Sequence, residues 1–389
     1  NLLSSGLVIG GYNNKFDLAI LVSNDADFVP AVLEVQSLAK KVYNVIFPKT
    51  KSYHLTKICD ESIYIKDISN FLLDNDSPNY LVKGSAIALK KLKNIFRKRY
   101  FDFVCILGDR YELISIVQTA ILFGKPIIHI HGGEKTEGAI DEQIRHMITK
   151  ASHIHFVSCK EYYDNVRKMG EEEWRIFNTG ALAVENIKKL STYSKNKIFD
   201  LLKINNEKTI ILTYHPVTIE NKLSTKKQIQ NIFSALNCYD FQLIITAPNM
   251  DSDNTRIFKE IKNQIKNPKF LFIESLGAEK YLSLLKYVDF VIGNSSSGII
   301  EVPYFKIPTI NIGNRQEGRI MHKSVINTNY EINSIKKAIE KALNKDFKED
   351  IKKMEYKFGT GKASEIMIDA IFEFSNRTDI MQKKLNYPC

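Results

Sequence analysis

Four groups of residues in this chain have the types and spacing for acid–base or phosphate chemistry. Gly108-Asp109-Arg110-Tyr111-Glu112 sets a carboxylate beside a guanidinium. The Asp can act as acid, base or helix cap, and the Arg can clamp a phosphate. His129-Ile130-His131-Gly132-Gly133-Glu134 leads on to Asp141, Glu142, Arg145 and His146. Asp141 and Arg145 are four apart and so share a helix face, and the paired glycines let backbone approach a ligand. Five of the eight histidines fall between 129 and 155, which opens a metal site as one use of the cluster. His153 and His155 alternate with apolar neighbours and read as structural. Tyr214-His215-Pro216 and Ala247-Pro248-Asn249-Met250-Asp251 each close an apolar run, and a His there can donate to a phosphate or hydroxyl. Gly293-Asn294-Ser295-Ser296-Ser297-Gly298 exposes backbone N–H groups and hydroxyls suited to a diphosphate. Glu301, one turn on, can accept from ribose hydroxyls, and Arg315 adds positive charge. The plain alternative at each place is a helix cap, a tight turn or a satisfied structural side chain.

These groups follow short apolar runs, so strands must position them. The spacing predicts strands at Leu18–Val22, Lys41–Ile46, Phe103–Leu107, Pro126–Ile130, His153–Val157, Arg175–Phe177, Thr209–Thr213, Phe241–Thr246, Phe270–Ile273, Phe290–Ile292 and Thr309–Ile312. Helix-period segments lie between them, among them Ala86–Lys98, Arg110–Phe123, Ile140–Lys150 and Glu279–Tyr287. Alternation of this kind means parallel sheets with helices on both faces. Breaks are expected at Leu73–Pro78 and in the polar Lys188–Lys208 stretch, and a last helix at about Lys362–Lys384.

The chain has 389 residues, which fits two or three domains rather than one core. With 44% hydrophobic and 25% charged residues it has the balance of a soluble globular protein. No apolar run reaches the length of a membrane helix. Five scattered cysteines argue against a disulfide scaffold, and no secretory signal is read, so a cytoplasmic location is expected. The net charge is +11, but residues 1–80 carry seven Lys against nine acidic residues, so the other 309 residues hold +13. A basic body suits an anionic ligand, either nucleic acid or a phosphorylated small molecule.

Taken together, the motifs resemble the hydrolysing UDP-N-acetylglucosamine 2-epimerases over about residues 76–385. The resemblance rests on GDRYE at 108–112, HIHGGEKTEGAIDEQIRH at 129–146, FNTGALAVENI at 177–187 and HPVT at 215–218. PNMD at 248–251, GNSSSGIIEV at 293–302 and NIGNRQEGR at 311–319 complete it. It implies an α/β, GT-B-like fold: two doubly wound Rossmann-type lobes with a UDP-sugar cleft between them. It implies that Arg110, His215, Asn249, Ser295, Ser296, Glu301 and Arg315 hold the nucleotide, and that Asp109 and Asp141 lie near the sugar, with Arg145 beside Asp141. Some members carry Glu at the position of His131, so His131 or Glu134 can take the acid–base part. The implied reaction removes the C2 proton while UDP leaves C1, and water then gives N-acetylmannosamine, as in sialic-acid-type biosynthesis. The implied alternative substrate is a UDP-2,4-diacetamido-2,4,6-trideoxy-glucose, as in a legionaminic-acid pathway. No cofactor is implied, and a homo-oligomer is.

Residues 1–70 instead resemble the C-terminal half of a NYN (PIN-like) domain. LAILVSNDADFVPA at 18–31, KKVYNVIFP at 40–48 and LTKICDESIYI at 55–65 carry that resemblance. It implies a former divalent-metal site at Asp25 and Asp27, where hard carboxylates suit Mg²⁺ or Mn²⁺. The expected order is a partial NYN-like segment at 1–75, an incomplete epimerase lobe at 76–190, a UDP-binding lobe at 191–361 and a C-terminal helix at 362–389 packing back. The N-terminal piece could supply outer strands to the epimerase lobe. It lacks the Gly-Ser-Arg-Ala loop of that family, so weakened activity is expected. The rival functions are a NYN-type metal-dependent ribonuclease, a GT-B glycosyltransferase and a non-catalytic UDP-sugar binder. The net charge of −2 on residues 1–80 argues against nucleic acid.

Overall fold

The computed structural model describes residues 18–22, 41–46, 61–64, 78–137, 140–190, 192–205, 207–215, 223–247, 254–265, 267–375 and 377–386. The chain folds as two units, the first made of 1–134, 141–186 and 358–389, the second of 135–140 and 187–357.

The first unit is built on seven strands, β1 (Leu18–Val22), β2 (Lys41–Ile46), β3 (Glu61–Tyr64), β4 (Val104–Leu107), β5 (Ile127–Ile130), β6 (Ile154–Val157) and β7 (Ile176–Asn178). They form one parallel sheet in the order β3-β2-β1-β4-β5-β6-β7. The NYN-like strands β1–β3 and the epimerase-like strands β4–β7 therefore share a single sheet, joined where Leu21 pairs with Cys105 and Val22 with Ile106. Among the described residues, the helices that follow strands β3 to β7 are α1 (Pro78–Lys98), α2 (Leu113–Leu122), α3 (Asp141–Ala151), α4 (Lys160–Lys168) and α5 (Leu182–Lys189). Helix α1 places Ala88, Leu92 and Phe96 at four-residue steps, so all three fall on one face. They pack against Val104 and Ile106 of β4 and Leu113, Ile116 and Val117 of α2. Each such side chain fully buried contributes roughly 1.5–3 kcal/mol.

The second unit carries β8 (Thr209–Thr213), β9 (Gln242–Thr246), β10 (Phe270–Ile273), β11 (Phe290–Gly293), β12 (Thr309–Ile312) and β13 (Val325–Thr328). Their order is β10-β9-β8-β11-β12-β13, again all parallel. The connecting helices are α6 (Lys195–Leu202), α7 (Thr225–Leu236), α8 (Asn254–Gln264), α9 (Gly277–Leu285), α10 (Ser297–Tyr304), α11 (Ile332–Leu343) and α12 (Lys345–Lys352). Every residue of β11 and β12 is buried, because helices cover both faces of the sheet. Both sheets reverse their strand order at one point, between β1 and β4 and between β8 and β11. Ligands of doubly wound sheets bind at the carboxyl ends of strands there.

The two units divide between Asn186 and Ile187, inside α5, and α6 lies within the polar 188–208 stretch. Two expectations need correction. The C-terminal helix α13 (Ala363–Ser375) is shorter than its apolar pattern suggested. Residues 377–386 continue outside any helix, with Asn386 N donating to Gly170 O and the carbonyls of Ile380 and Gln382 accepting from Arg175. Strands β3 and β13 escaped the reading of apolar runs, as Glu61–Tyr64 and Val325–Thr328 mix polar with apolar residues. Helix α13 covers Ile128, Ile130, Ile154 and Phe156 with Ala363, Met367, Ala370 and Phe374. Beyond it Arg175, fully buried, donates to the carbonyls of Ile380 (2.9 Å) and Gln382 (2.8 Å). Lys383 reaches the buried Glu171 carboxylate at 3.0 Å. Among the described residues no helix is long and apolar enough to cross a membrane.

Candidate functional site

In the first unit, β4 and β5 run side by side with Leu107 opposite Ile130, so Gly108-Asp109 and His131 leave the sheet at the same edge. Helix α3 supplies Arg145, only 2% exposed. Its guanidinium pairs with the Asp109 carboxylate, donates to the His131 carbonyl at 2.6 Å and lies 3.7 Å from Glu134 Oε2. Burial alone would lower its pKa, but the Asp109 and Glu134 carboxylates outweigh that and raise it, so the cation is fixed. One buried fork thus ties together three segments that are distant in sequence.

His131 stands at a φ of 64°, in the left-handed region that few residues other than glycine occupy. It is held there from several sides. Its N–H donates to Phe156 O at 2.8 Å, its carbonyl accepts from Arg145, and its Nδ1 meets Glu134 Oε1 at 2.6 Å. Ser158 Oγ donates to the same Glu134 oxygen at 2.9 Å. A carboxylate can only accept, so Nδ1 is the donor of this pair. A carboxylate-backed histidine is an arrangement that can move a proton. Gly133 makes the turn possible: at φ 73° a Cβ would sit 2.6 Å from Tyr162 O. Asp141 opens α3 one turn before Arg145 and is half-buried. Arg110 is more exposed and faces Glu112 at 3.7 Å.

The remaining histidines of the cluster have local duties. His153 Nδ1 accepts from Ile127 N at 3.0 Å, and burial lowers its pKa to about 4. His155 meets Glu171 at 3.2 Å, and His146 meets Glu142 at 2.8 Å. Among the described residues, no group of three or more His, Cys, Asp or Glu side chains is arranged to hold a metal ion.

In the second unit, the reversal point between β8 and β11 is clasped by a reciprocal pair. His215 N donates to Asn294 Oδ1 at 2.7 Å, and Asn294 Nδ2 donates to His215 O at 2.9 Å. Gly293 allows this approach, since at φ 137° a Cβ would lie 1.9 Å from Thr213 O. Gln316 and Arg315 donate to Asn294 O at 2.9 and 3.2 Å. His215 and Arg315 are thereby gathered around the loop that opens α10. Ser295 and Ser296 stand before its first turn, partly or fully exposed. A helix N-terminus with hydroxyls and a guanidinium nearby is a site for a phosphate group. Glu301 lies one turn in, and burial together with its charge raises the pKa of the phenols of Tyr281 and Tyr356. Asn249 lies outside the described residues, as do Asp25 and Asp27. Asn294 and Gln316 were not singled out in the sequence. Asn294 was legible as the one amide inside a Gly/Ser loop, whereas nothing in its surroundings marked Gln316.

Comparison with known proteins decides the family. The UDP-N-acetylglucosamine 2-epimerase family matches residues 40–372. The chain belongs to that family. The NYN domain family matches residues 7–69, overlapping it at 40–69. A GDP/UDP-N,N'-diacetylbacillosamine 2-epimerase (hydrolyzing) of Campylobacter jejuni is 40% identical over 283 residues, 72% of this chain and 73% of its own length. A polysialic acid biosynthesis protein P7 of Escherichia coli is 38% identical over 69% of this chain and 68% of its own. The crystal structure of a UDP-GlcNAc 2-epimerase from Neisseria meningitidis bound to UDP-GlcNAc superposes with a TM-score of 0.75. It is 18% identical and covers 92% of this chain and 99% of that one. The fold of this family member is thus GT-B-like, with two parallel-sheet α/β lobes.

Proposed function

We propose that the chain is a hydrolysing UDP-sugar 2-epimerase, converting a UDP-2-acetamido sugar and water to the free 2-epimer and UDP. The observation that supports it most is the Arg145 fork, which holds Asp109 beside the His131–Glu134 pair. Such a group can take the C2 proton while the C1–O bond to UDP breaks. Water then adds to the resulting glycal, with oxygen going to C1 and a proton to C2 from the opposite face. In this reading His131 Nε2 and the Asp109 carboxylate are the proton carriers, Glu134 orients His131, and Asp141 contacts the sugar. Positioned acid–base groups of this kind supply about 10²–10⁴-fold. In the second unit, the N-terminus of α10, Ser295, Ser296, His215 and Arg315 neutralise the departing diphosphate, with Arg110 and Asn249 as further nucleotide contacts and Glu301 on the ribose.

The leading substrate is UDP-N-acetylglucosamine. The 40% identity to the Campylobacter jejuni diacetylbacillosamine enzyme favours a second reading, a UDP-2,4-diacetamido-2,4,6-trideoxy-glucose. Both place the chain in sialic-acid-type sugar synthesis as a homo-oligomer without a cofactor. Incubating the protein with each sugar in D₂O tests the proposal. UDP release with one solvent deuterium at C2 of the free sugar is expected from one of them. Release without deuterium, or no release from either, would overturn it.

A further inference from the structure

His129 takes no part in the roles assigned above, yet it is wholly buried between the segments that carry them. Its Nε2 lies 2.8 Å from the carbonyl of Gly108, the residue directly before Asp109. Its Nδ1 lies 3.1 Å from Thr149 Oγ1, on the same face of α3 as Arg145 and one turn later. Thr149 Oγ1 is in turn 2.9 Å from the Arg145 carbonyl. The ring also lies under the backbone that follows His131: a Cβ on Gly132 would sit 2.9 Å from its Nδ1. One imidazole therefore touches the segments leading to Asp109, Arg145 and His131.

The chemistry of these contacts selects one form of the ring. A carbonyl only accepts, so Nε2 must carry a proton toward Gly108 O. Burial is the main cause that lowers the pKa, to about 3, so the ring is neutral and Nδ1 is an acceptor. The single Thr149 hydroxyl proton then serves two acceptors, Nδ1 and Arg145 O. Gly108, at φ 81°, gives the turn little stiffness of its own; its N–H is held by Ile130 O at 3.0 Å, and the bond from His129 fixes its carbonyl and with it the peptide leading to Asp109.

We propose that His129 is a positioning residue, which holds Asp109 and Arg145 in their reactive arrangement through Gly108 O and Thr149. This rests on the epimerase reading above. It predicts a loss in turnover without a loss in substrate binding, because misplacement of reacting groups by about 1 Å costs on the order of 10²-fold.

The test compares His129→Gln with His129→Asn in the full chain. The Gln amide nitrogen reaches the position of Nε2 and keeps a donor for Gly108 O. The Asn amide reaches only as far as Nδ1 and loses it. Expected for His129→Asn is a fall in kcat of about 10²-fold with KM changed by no more than about twofold, and for His129→Gln a recovery to within about threefold of wild type. Equal losses in both variants, tracking the folded fraction in thermal melts, would show a purely structural role. Wild-type kcat in His129→Asn would also overturn the proposal. The Arg145 guanidinium signals in ¹⁵N NMR give a readout independent of turnover. They should lose protection from exchange in His129→Asn and keep it in His129→Gln, and no difference between the two would overturn the positioning role. If wild type releases no UDP from either sugar while this NMR difference holds, the reading of function fails and the positioning role stands. Should His129→Asn not fold, Thr149→Val removes the α3 end of the link. The Arg145 signals should then change in that variant, and unchanged signals would overturn the proposal.

Discussion

Arg145 is the side chain on which the first-unit site depends. Its fork meets Asp109, His131 O and Glu134 in a nearly dry environment. Lysine offers a point charge in place of that fork, so Arg145→Lys is not conservative. We expect the lost hydrogen bonds of the fork to cost about 1–3 kcal/mol in urea unfolding and to abolish most UDP release. Stability and turnover both equal to wild type would refute this. Glu171 gives the pH dependence. Burial raises its pKa, but the hydrogen bond from His155 and the charges of Lys150 and Lys383 outweigh that and hold it at about 2. A carboxylate depressed on folding stabilises above its unfolded pKa, and that stability is lost as pH falls through the folded value. The stability gap between wild type and Glu171→Gln should therefore be full above about pH 4.5, on the order of 3 kcal/mol, and close toward pH 2. A gap independent of pH in urea titrations would contradict it.

At the scale of elements, the strap formed by residues 377–386 is the feature that the sequence concealed. Arg175 donates to Ile380 O and Gln382 O as well as to Glu172 and His153 O, and Lys383 joins Lys150 and His155 at the Glu171 carboxylate. Truncation after Ser375 would leave the Arg175 guanidinium and the Glu171 carboxylate without these partners. Arg175 keeps Glu172 and Glu171 keeps Lys150 and His155, but each lost hydrogen bond to a charged group costs about 1.5–3 kcal/mol. The truncated chain should melt well below the full chain, with the first unit losing its protection in hydrogen exchange and the second unit keeping it. An unchanged exchange pattern would show that the strap is dispensable. The pattern of apolar residues in 362–384 suggested one long helix. The carbonyls of Ile380 and Gln382 instead face Arg175 from a non-helical strap, which only the packing revealed.

At the scale of the whole molecule, UDP should stabilise the chain by mass action, about 2.7 kcal/mol at a hundred times its Kd. A thermal shift with UDP, and none with uridine, would follow from diphosphate recognition at α10. Equal shifts with both would argue against it.

The strands that end in Asp109, His131, His215 and the Gly/Ser loop were readable from the sequence, since short apolar runs between helix-period segments have few other uses in a parallel sheet. So were the residue types able to move a proton or hold a diphosphate. The partners were not. That Arg145 pairs with Asp109, that Glu134 orients His131, and that Asn294 clasps His215 depend on side chains 36, 3 and 79 residues apart. The lone short-range pair among these needs a left-handed turn that no spacing announces. Local pattern follows from each residue's own preference, whereas a hydrogen-bond partner follows from which strands the fold sets side by side.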